Sequence, residues 1–450
     1  MNSKSIEQLR TDAKDLLLHG IEAGDGYRVM QHSLFIDEET LIVRGISGEK
    51  IEYDLKEFRR ILVIGFGKVS GSMACALEDT LKNHIAGGVV IVKQGFAVDL
   101  EKIQIVEATH PVPDAKSIEG AQRVVCMLTD ISQDDLVICL ISGGGSALCT
   151  LPSEGIKLTD IQTITQSLLT SGADIIEVNA IRKHLSQIKG GQLAKLAYPA
   201  SIISLIISDV IGDRIDTIAS GPTAPDTTTF RDAYDILQKY GLFQNAPVSI
   251  RTRVRAGLEG CIKDTPGIDD PAFQKTRNII IANNLTVLRA IATKAGHHGY
   301  ETLALSSMIE GASRHVAEIY AALIKELVES PHPMPTPACI TAGGEMTVRV
   351  TGKGRGGRNC DFCLALAPLI SGRKGVVVLS AGTDGIDGST DAAGGIIDGM
   401  TFSRAQNMGL DVTQALADHD SYSILKKSGD LLVIGPTGTN VMDIQLILIA

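Results

Sequence analysis

Apolar residues along this chain fall into two patterns. One repeats at helical spacing: after Ser5, which forms a candidate capping box with Gln8, residues Ile6, Leu9, Ala13, Leu16 and Leu17 mark one face of an opening helix. The other is a short continuous run that stops at a glycine-rich loop. Ile61–Ile64 ends at Gly65-Phe66-Gly67-Lys68, Leu136–Ile141 at Ser142-Gly143-Gly144-Gly145-Ser146, and Ser201–Ile207 at Ser208-Asp209. Val376–Ser380 runs into a glycine- and aspartate-rich loop, and Leu431–Ile434 repeats the theme. Uninterrupted runs of this kind suit parallel strands covered on both faces, each delivering a loop at its carboxyl end. The pattern predicts an α/β fold.

A chain of 450 residues exceeds the size at which single cores stop growing, so two domains are expected. Periodicity loosens through the proline-containing stretch 260–276 and returns at Asn278–Ala282, which places the boundary between about 235 and 275. We divide the chain at 1–245 and 246–450. The segment Pro331–Pro337 is proline-rich and suits a semi-rigid connector.

The loops carry the candidate chemistry. Glycines let backbone N–H groups approach an anion that any Cβ would block, so Ser142, Gly143, Gly144, Gly145 and Ser146 form a candidate anion cradle, with a plain strand-to-helix turn as the simpler reading. Lys68 stands where a helix begins and could reach a phosphate or carboxylate held there; a solvated surface lysine is the alternative. Arg182, Lys183, His184 and Lys189 crowd one segment, with Arg182 and Lys189 on roughly one helical face. Arg182 could present a carboxylate-binding fork, or the run could be a solvated face. Asp209 and Asp213 follow a strand end and suit magnesium, a general base, or turn capping. Arg355 and Arg358 stand among glycines, and Asp384, Asp387 and Asp391 share one loop that lacks the ligand spacing of an EF-hand. No Walker motif fits. Gly65 and Gly67 begin a dinucleotide fingerprint whose third glycine is replaced by Ser70, and the next strand ends at Lys93 rather than at an acid.

Composition narrows the partners. A formal charge of -10 argues against a nucleic-acid or anionic-membrane surface and leaves room for a local basic pocket, so a small metabolite is the expected ligand. The amphipathic opening segment lacks the apolar core of a secretion signal, and no apolar run approaches membrane-spanning length. The eight cysteines are scattered, as suits reduced thiols in the cytoplasm, and the single C-x-x-C pair, Cys360 and Cys363, has no second pair or nearby histidines to suggest zinc.

Taken together, Gly65–Lys68, His110–Asp114, Ser142–Ser146, Asn179–Gly191, Ser208–Asp213, Ser220–Pro222, Gly354–Asn359, Gly382–Gly388 and Thr437–Asn440 resemble, in order and over nearly the whole chain, the ATP-dependent glycerate kinases that carry the MOFRL domain. The resemblance implies an N-terminal Rossmann-like parallel sheet with flanking helices, a smaller C-terminal α/β domain, and an active site in the cleft between them. It also implies transfer of the γ-phosphoryl of Mg-ATP to D-glycerate, giving 2-phosphoglycerate, with ATP and Mg2+ as cofactors. On that reading Lys68 and Arg358 neutralise the transferring group, Asp384 positions or deprotonates the acceptor hydroxyl, and Asp209 and Asp387 are Mg2+ candidates. The Ser142–Ser146 loop holds phosphate or the glycerate carboxylate, with Arg182 as a second clamp.

One departure stands out. The family pattern continues Gly-Arg-Asn with Gln-Glu, whereas here Cys360 and Asp361 follow, which puts the next side-chain contact and the exact sugar acid in doubt. A kinase of a related sugar acid is one alternative, an NAD(P)H-dependent hydroxypyruvate reductase another, and a sugar-acid sensor without turnover a third. A homodimer is an open arrangement.

Overall fold

The computed structural model describes residues 4–350 and 352–450. They form two compact units: Gly26–Ile281, and a second built from the stretch ending at Asp25 together with Ala282–Ala450. This division differs from one at 245/246 for two physical reasons. The strand Thr276–Ala282 is the edge strand of the first sheet, so the loosely patterned stretch before it is a loop within that unit. The opening helix Ile6–Ala23 packs against the helix Asn284–His297 and the strands Val376–Gly382 and Asp443–Ile449 of the second unit. Its capping box is formed as expected, with Gln8 N–H donating to Ser5 Oγ at 3.2 Å and Ser5 N–H to Gln8 Oε1 at 2.8 Å, and its apolar stripe is buried from Leu9 onward.

In Gly26–Ile281 the main sheet has the strand order Ile103–Ala108, Ile85–Lys93, Arg60–Phe66, Asp135–Ile141, Ser201–Ile207, Thr276–Ala282, and the first five pair in parallel. The apolar runs fill its centre: every residue of Asp135–Ile141 is buried. From Arg60–Phe66 the chain moves outward to one side for two strands and then returns to the other side at Asp135–Ile141. The order therefore reverses between these neighbours, and the carboxyl ends of the two strands flank the point where open α/β sheets bind ligands. A small antiparallel sheet, Leu34–Asp37, Thr40–Arg44 and Lys50–Asp54, belongs to the same unit.

The second unit holds a mixed sheet ordered Glu301–Ala312, Ala338–Thr347, Asp443–Ile449, Val376–Gly382, Gly394–Asp398, Leu431–Leu432. The last long strand is inserted between two earlier ones and runs antiparallel to both, with Asp443 opposite Gly344 on one side and Gly382 on the other. That register brings Gly344 and the glycine loop after Gly382 to the same end of the sheet. Among the described residues no helix is long and apolar enough to cross a membrane.

Candidate active site

In the Gly26–Ile281 unit two loops meet at the sheet's reversal point. Gly67 has φ +143°, and a Cβ there would lie 2.1 Å from Ser142 Oγ, so glycine is required for the loops to touch. Ser142, fully buried, accepts from Val69 N–H at 3.1 Å and shares a hydrogen bond with Ser70, while Lys68 N–H donates to Gly143 O at 2.8 Å. Gly144 turns in the left-handed region at φ +83°, and a Cβ on it would strike the His110 ring at 2.9 Å and the Lys68 stem at 3.4 Å. Lys68, His110 and the triple glycine are thus one cluster. The N–H groups of Gly143 and Gly144 donate to no other described group. Adjacent unsatisfied N–H groups in a glycine turn form a concavity suited to an anion.

Ser146 closes the loop and is held from behind. Its Oγ lies 2.7 Å from Ser220 Oγ, which in turn donates to Asn179 Oδ1 at 2.9 Å. Ser220 pairs with Ser146 from a strained turn, since Ala219 and Ser220 take φ of +51° and +63° without being glycine. Lys189 is buried beneath the loop and donates to the carbonyls of Ser146 at 2.7 Å and Cys149 at 2.9 Å. Burial pushes its pKa down to about 8, with nearby Arg182 acting in the same direction. Arg182 is half-buried, and burial lowers its pKa as well. Ser146, Arg182 and Lys189 line one cavity of about 370 Å³. Lys183 and His184 take no part in this surface: Lys183 pairs with buried Asp226 at 3.1 Å, and His184 is buried edge-on against Phe230. Asp209 follows the strand Ser201–Ile207 and is half-buried.

In the second unit Arg358 opens the helix Arg358–Leu369. Its Nε and Nη2 donate to the two oxygens of Asp443 at 2.6 and 3.0 Å, and Nη1 donates to Glu345 at 2.8 Å. Three of the five guanidinium donors are spent on carboxylates, leaving two. Burial opposes the Arg358 charge, but Asp443 and Glu345 outweigh it and its pKa rises. Asp443 is fully buried, and burial drives its pKa up to about 6 against the pull of Arg358 and Asn359. Asn359 Nδ2 donates to Asp443 at 3.0 Å and its Oδ1 accepts from Ser380 at 2.6 Å. Asp384 belongs to the same group: a Cβ on Gly382 would lie 3.4 Å from its Oδ1 and 3.8 Å from that of Asp443. Asp384 is half-exposed and also accepts from Ile386 N–H at 3.1 Å.

Asp387, expected as a metal ligand, has a different set of partners. One oxygen accepts from Asn359 N–H at 3.0 Å and from its side-chain amide at 3.3 Å, and the other from Cys360 N–H at 2.8 Å. It therefore anchors the amino end of the helix that carries Arg358, and burial raises its pKa against those hydrogen bonds. Gly357 permits the approach, because a Cβ there would lie 2.3 Å from Asp387 Oδ1. Among the described residues no group of three or more His, Cys, Asp or Glu could hold a metal ion. The departure at Cys360-Asp361 is structural. Both residues are buried, and Asp361 forms a two-point ion pair with Arg314 at 2.9 and 3.0 Å and accepts from Ser313 at 2.7 Å. All eight cysteines are free thiols.

Sequence reasoning assigned no role to Asp443, Glu345, Asn359, Ser220 or Lys189. Asp443 did leave a signal: a lone acid opening a mostly apolar terminal run has to find a partner when buried.

Comparison with known proteins gives the family. Residues 12–255 match a domain described as of unknown function, DUF4147, and residues 338–443 match the MOFRL family. A glycerate 2-kinase from Pyrococcus horikoshii is 40% identical over 435 residues, covering 96% of both chains. The chain belongs to the MOFRL-domain glycerate kinase family. The crystal structure of glycerate kinase from Thermotoga maritima superposes with a TM-score of 0.86 at 37% identity, covering 99% of this chain and 100% of that one. An Agrobacterium vitis protein that carries hydroxypyruvate reductase as a provisional name is 42% identical over 392 residues, 87% of this chain and 99% of its own. In this member of the MOFRL-domain glycerate kinases, Gly67, Lys68, His110 and Ser142–Ser146 of the resembling motifs meet in one unit, and Arg358, Asn359 and Asp384 in the other.

Proposed function

We propose that this protein transfers the γ-phosphoryl group of ATP to a hydroxyl of D-glycerate, giving 2-phosphoglycerate. The observation that carries the reading is identity to a named glycerate 2-kinase along almost the whole chain, joined to loops of suitable chemistry in both units. Phosphoryl transfer needs donor and acceptor held in line and developing charge neutralised, more than it needs covalent participation. Lys68 and the Gly143 and Gly144 N–H groups serve that need in one unit, with Arg182 as a second clamp. In the other, Arg358 keeps two donors suited to a phosphoryl oxygen, its direction fixed by Asp443. Asp384, half-exposed beside Arg358 and Asp443, orients the acceptor hydroxyl and takes its proton.

Magnesium, when bound, would arrive with the nucleotide phosphates and neutralise their charge. It commonly keeps several waters and needs only one or two carboxylates. Asp209, half-buried at the end of the strand Ser201–Ile207, is the candidate carboxylate. Free thiols throughout support work in a reducing cytoplasm.

The reductase reading meets an obstacle in the turn at Gly67. In a dinucleotide site the second glycine makes room for pyrophosphate, whereas here the room is taken by Ser142. A paired assay decides between them. Added D-glycerate with Mg-ATP should release ADP in proportion to glycerate consumed, with the product identified as 2-phosphoglycerate by NMR. Oxidation of NAD(P)H by hydroxypyruvate without any ADP release would overturn the kinase reading.

A further inference from the structure

Beside the glycine loop, the Gly26–Ile281 unit contains a cavity that phosphoryl transfer alone does not explain. Its volume of about 370 Å³ falls in the range of sites that bury much of an organic ligand and far exceeds the needs of a three-carbon acid. Its walls are chiefly apolar, with Val112, Leu151, Ile161 and Leu169 among them, and among the described residues no acidic side chain lines it. Two cations do. Arg182 makes no hydrogen bond or ion pair with any described group, and Lys189 spends two of its three N–H donors on carbonyls. Half-buried or buried cations with no acid nearby call for an anion from outside the chain. A wholly polar acceptor acid gains nothing from the apolar walls. A molecule with a planar apolar end and an anionic end gains from both features. Ser146 lines the cavity and also ends the loop that packs on Lys68, so a ligand with its apolar end in the cavity could lay its anionic end along the loop.

We infer that this cavity is the adenosine pocket of the nucleotide, the base lying between the Pro111–Pro113 segment and the helix Leu158–Thr170, with Arg182 on the phosphates nearest the ribose. The inference rests on the kinase reading for the identity of the nucleotide and goes beyond it in placing the base.

Thr165, half-exposed on that helix, points a small side chain into the cavity wall, so Thr165→Trp fills the pocket without touching the loop. It should raise the KM for ATP and weaken ADP binding by calorimetry about tenfold or more, with the KM for glycerate unchanged. Arg182→Ala should weaken ADP more than adenosine. A rise in the glycerate KM alone would give the cavity to the acceptor acid and overturn the inference, and so would no change in any of these quantities. Photolabelling of the unmodified protein with 8-azido-ATP covers the case in which the tryptophan variant does not fold: an adduct on residues 111–113 or 158–170 supports the pocket, and adducts confined elsewhere refute it. If the protein fails to phosphorylate glycerate, the kinase reading falls, while ADP calorimetry and photolabelling still decide the cavity.

Discussion

Asp443 grips the Arg358 guanidinium at two points, with Nε at 2.6 Å from one carboxylate oxygen and Nη2 at 3.0 Å from the other. The carboxylate has no exposed surface, and its pKa of about 6 stands above the ordinary 3.8 because burial outweighs the arginine. The sign of that shift matters. The folded protein holds the proton more readily than the unfolded chain, so ionisation as pH rises from 3.8 to about 6 costs stability rather than supplying it. A buried pair that does not add stability is better read as fixing the direction of Arg358.

The first prediction follows from that pair. As pH falls through about 6, protonation of Asp443 should loosen Arg358 and lower kcat/KM, giving an acid limb to the rate profile. Asp443→Asn should slow turnover by ~10- to 100-fold at neutral pH and remove the limb. A limb that survives in the variant would assign it to another group.

Lys68 presents its stem to Gly144 and its backbone to Gly143, which fixes the side chain beside the anion cradle. Replacing it by methionine keeps most of the packing and removes the charge. Turnover should fall by ~10²- to 10³-fold, as for the loss of one group that stabilises transition-state charge, with the melting temperature little changed. Near-normal turnover in a folded Lys68→Met protein would remove Lys68 from the catalytic set.

Gly67 and Ser142 test the cradle's architecture. Gly67→Ala places a methyl 2.1 Å from Ser142 Oγ on backbone at φ +143°, so both the side chain and the strand end must shift. Overpacking of this kind costs about 1–3 kcal/mol, which thermal unfolding would register. Nucleotide binding should weaken in the same protein, because the shifted loop is the one whose N–H groups face the anion.

Lys189 yields opposed pH dependences. Its folded pKa of about 8 lies below the ordinary 10.5, so between those values the unfolded chain holds more protons and the Lys189 contribution makes stability rise with pH. Over the same window the buried ammonium is lost, and affinity for an anion beside it should fall. ADP calorimetry and thermal unfolding from pH 7 to 9.5 should therefore diverge in the unmodified protein and lose this divergence in Lys189→Met.

Much of this was legible in the sequence because it depends on short-range pattern. Apolar runs ending in glycine announced the parallel strands, and the Gly67 and Gly144 loops sit where those runs stop. What escaped was set by pairing across long separations. The insertion of Asp443–Ile449 between two earlier strands brings Asp443 to Arg358, 85 residues away, and no local spacing encodes that register. The edge strand Thr276–Ala282 likewise carries the first unit past the loosely patterned stretch at which a boundary was expected. Asp387 was read as a metal candidate because it shares a loop with Asp384 and Asp391, and only the fold reveals the helix end that it holds.

That helix end supports a further prediction. Asp387 accepts N–H groups from Asn359 and Cys360, the second and third residues of a helix whose first is Arg358. Asp387→Asn keeps the shape but exchanges one acceptor for an amide donor facing the Cys360 N–H or the Asn359 N–H. The loss of a buried capping interaction should cost about 1–2 kcal/mol in unfolding experiments. Because the helix carries Arg358, kcat should fall with it. A metal ligand would behave differently: its loss would raise the Mg2+ concentration needed for half-maximal activity, and excess Mg2+ would restore the rate. With Asp387 acting through the helix, the Mg2+ requirement should stay within about twofold and excess metal should rescue nothing. Rescue by Mg2+ would return Asp387 to the metal site.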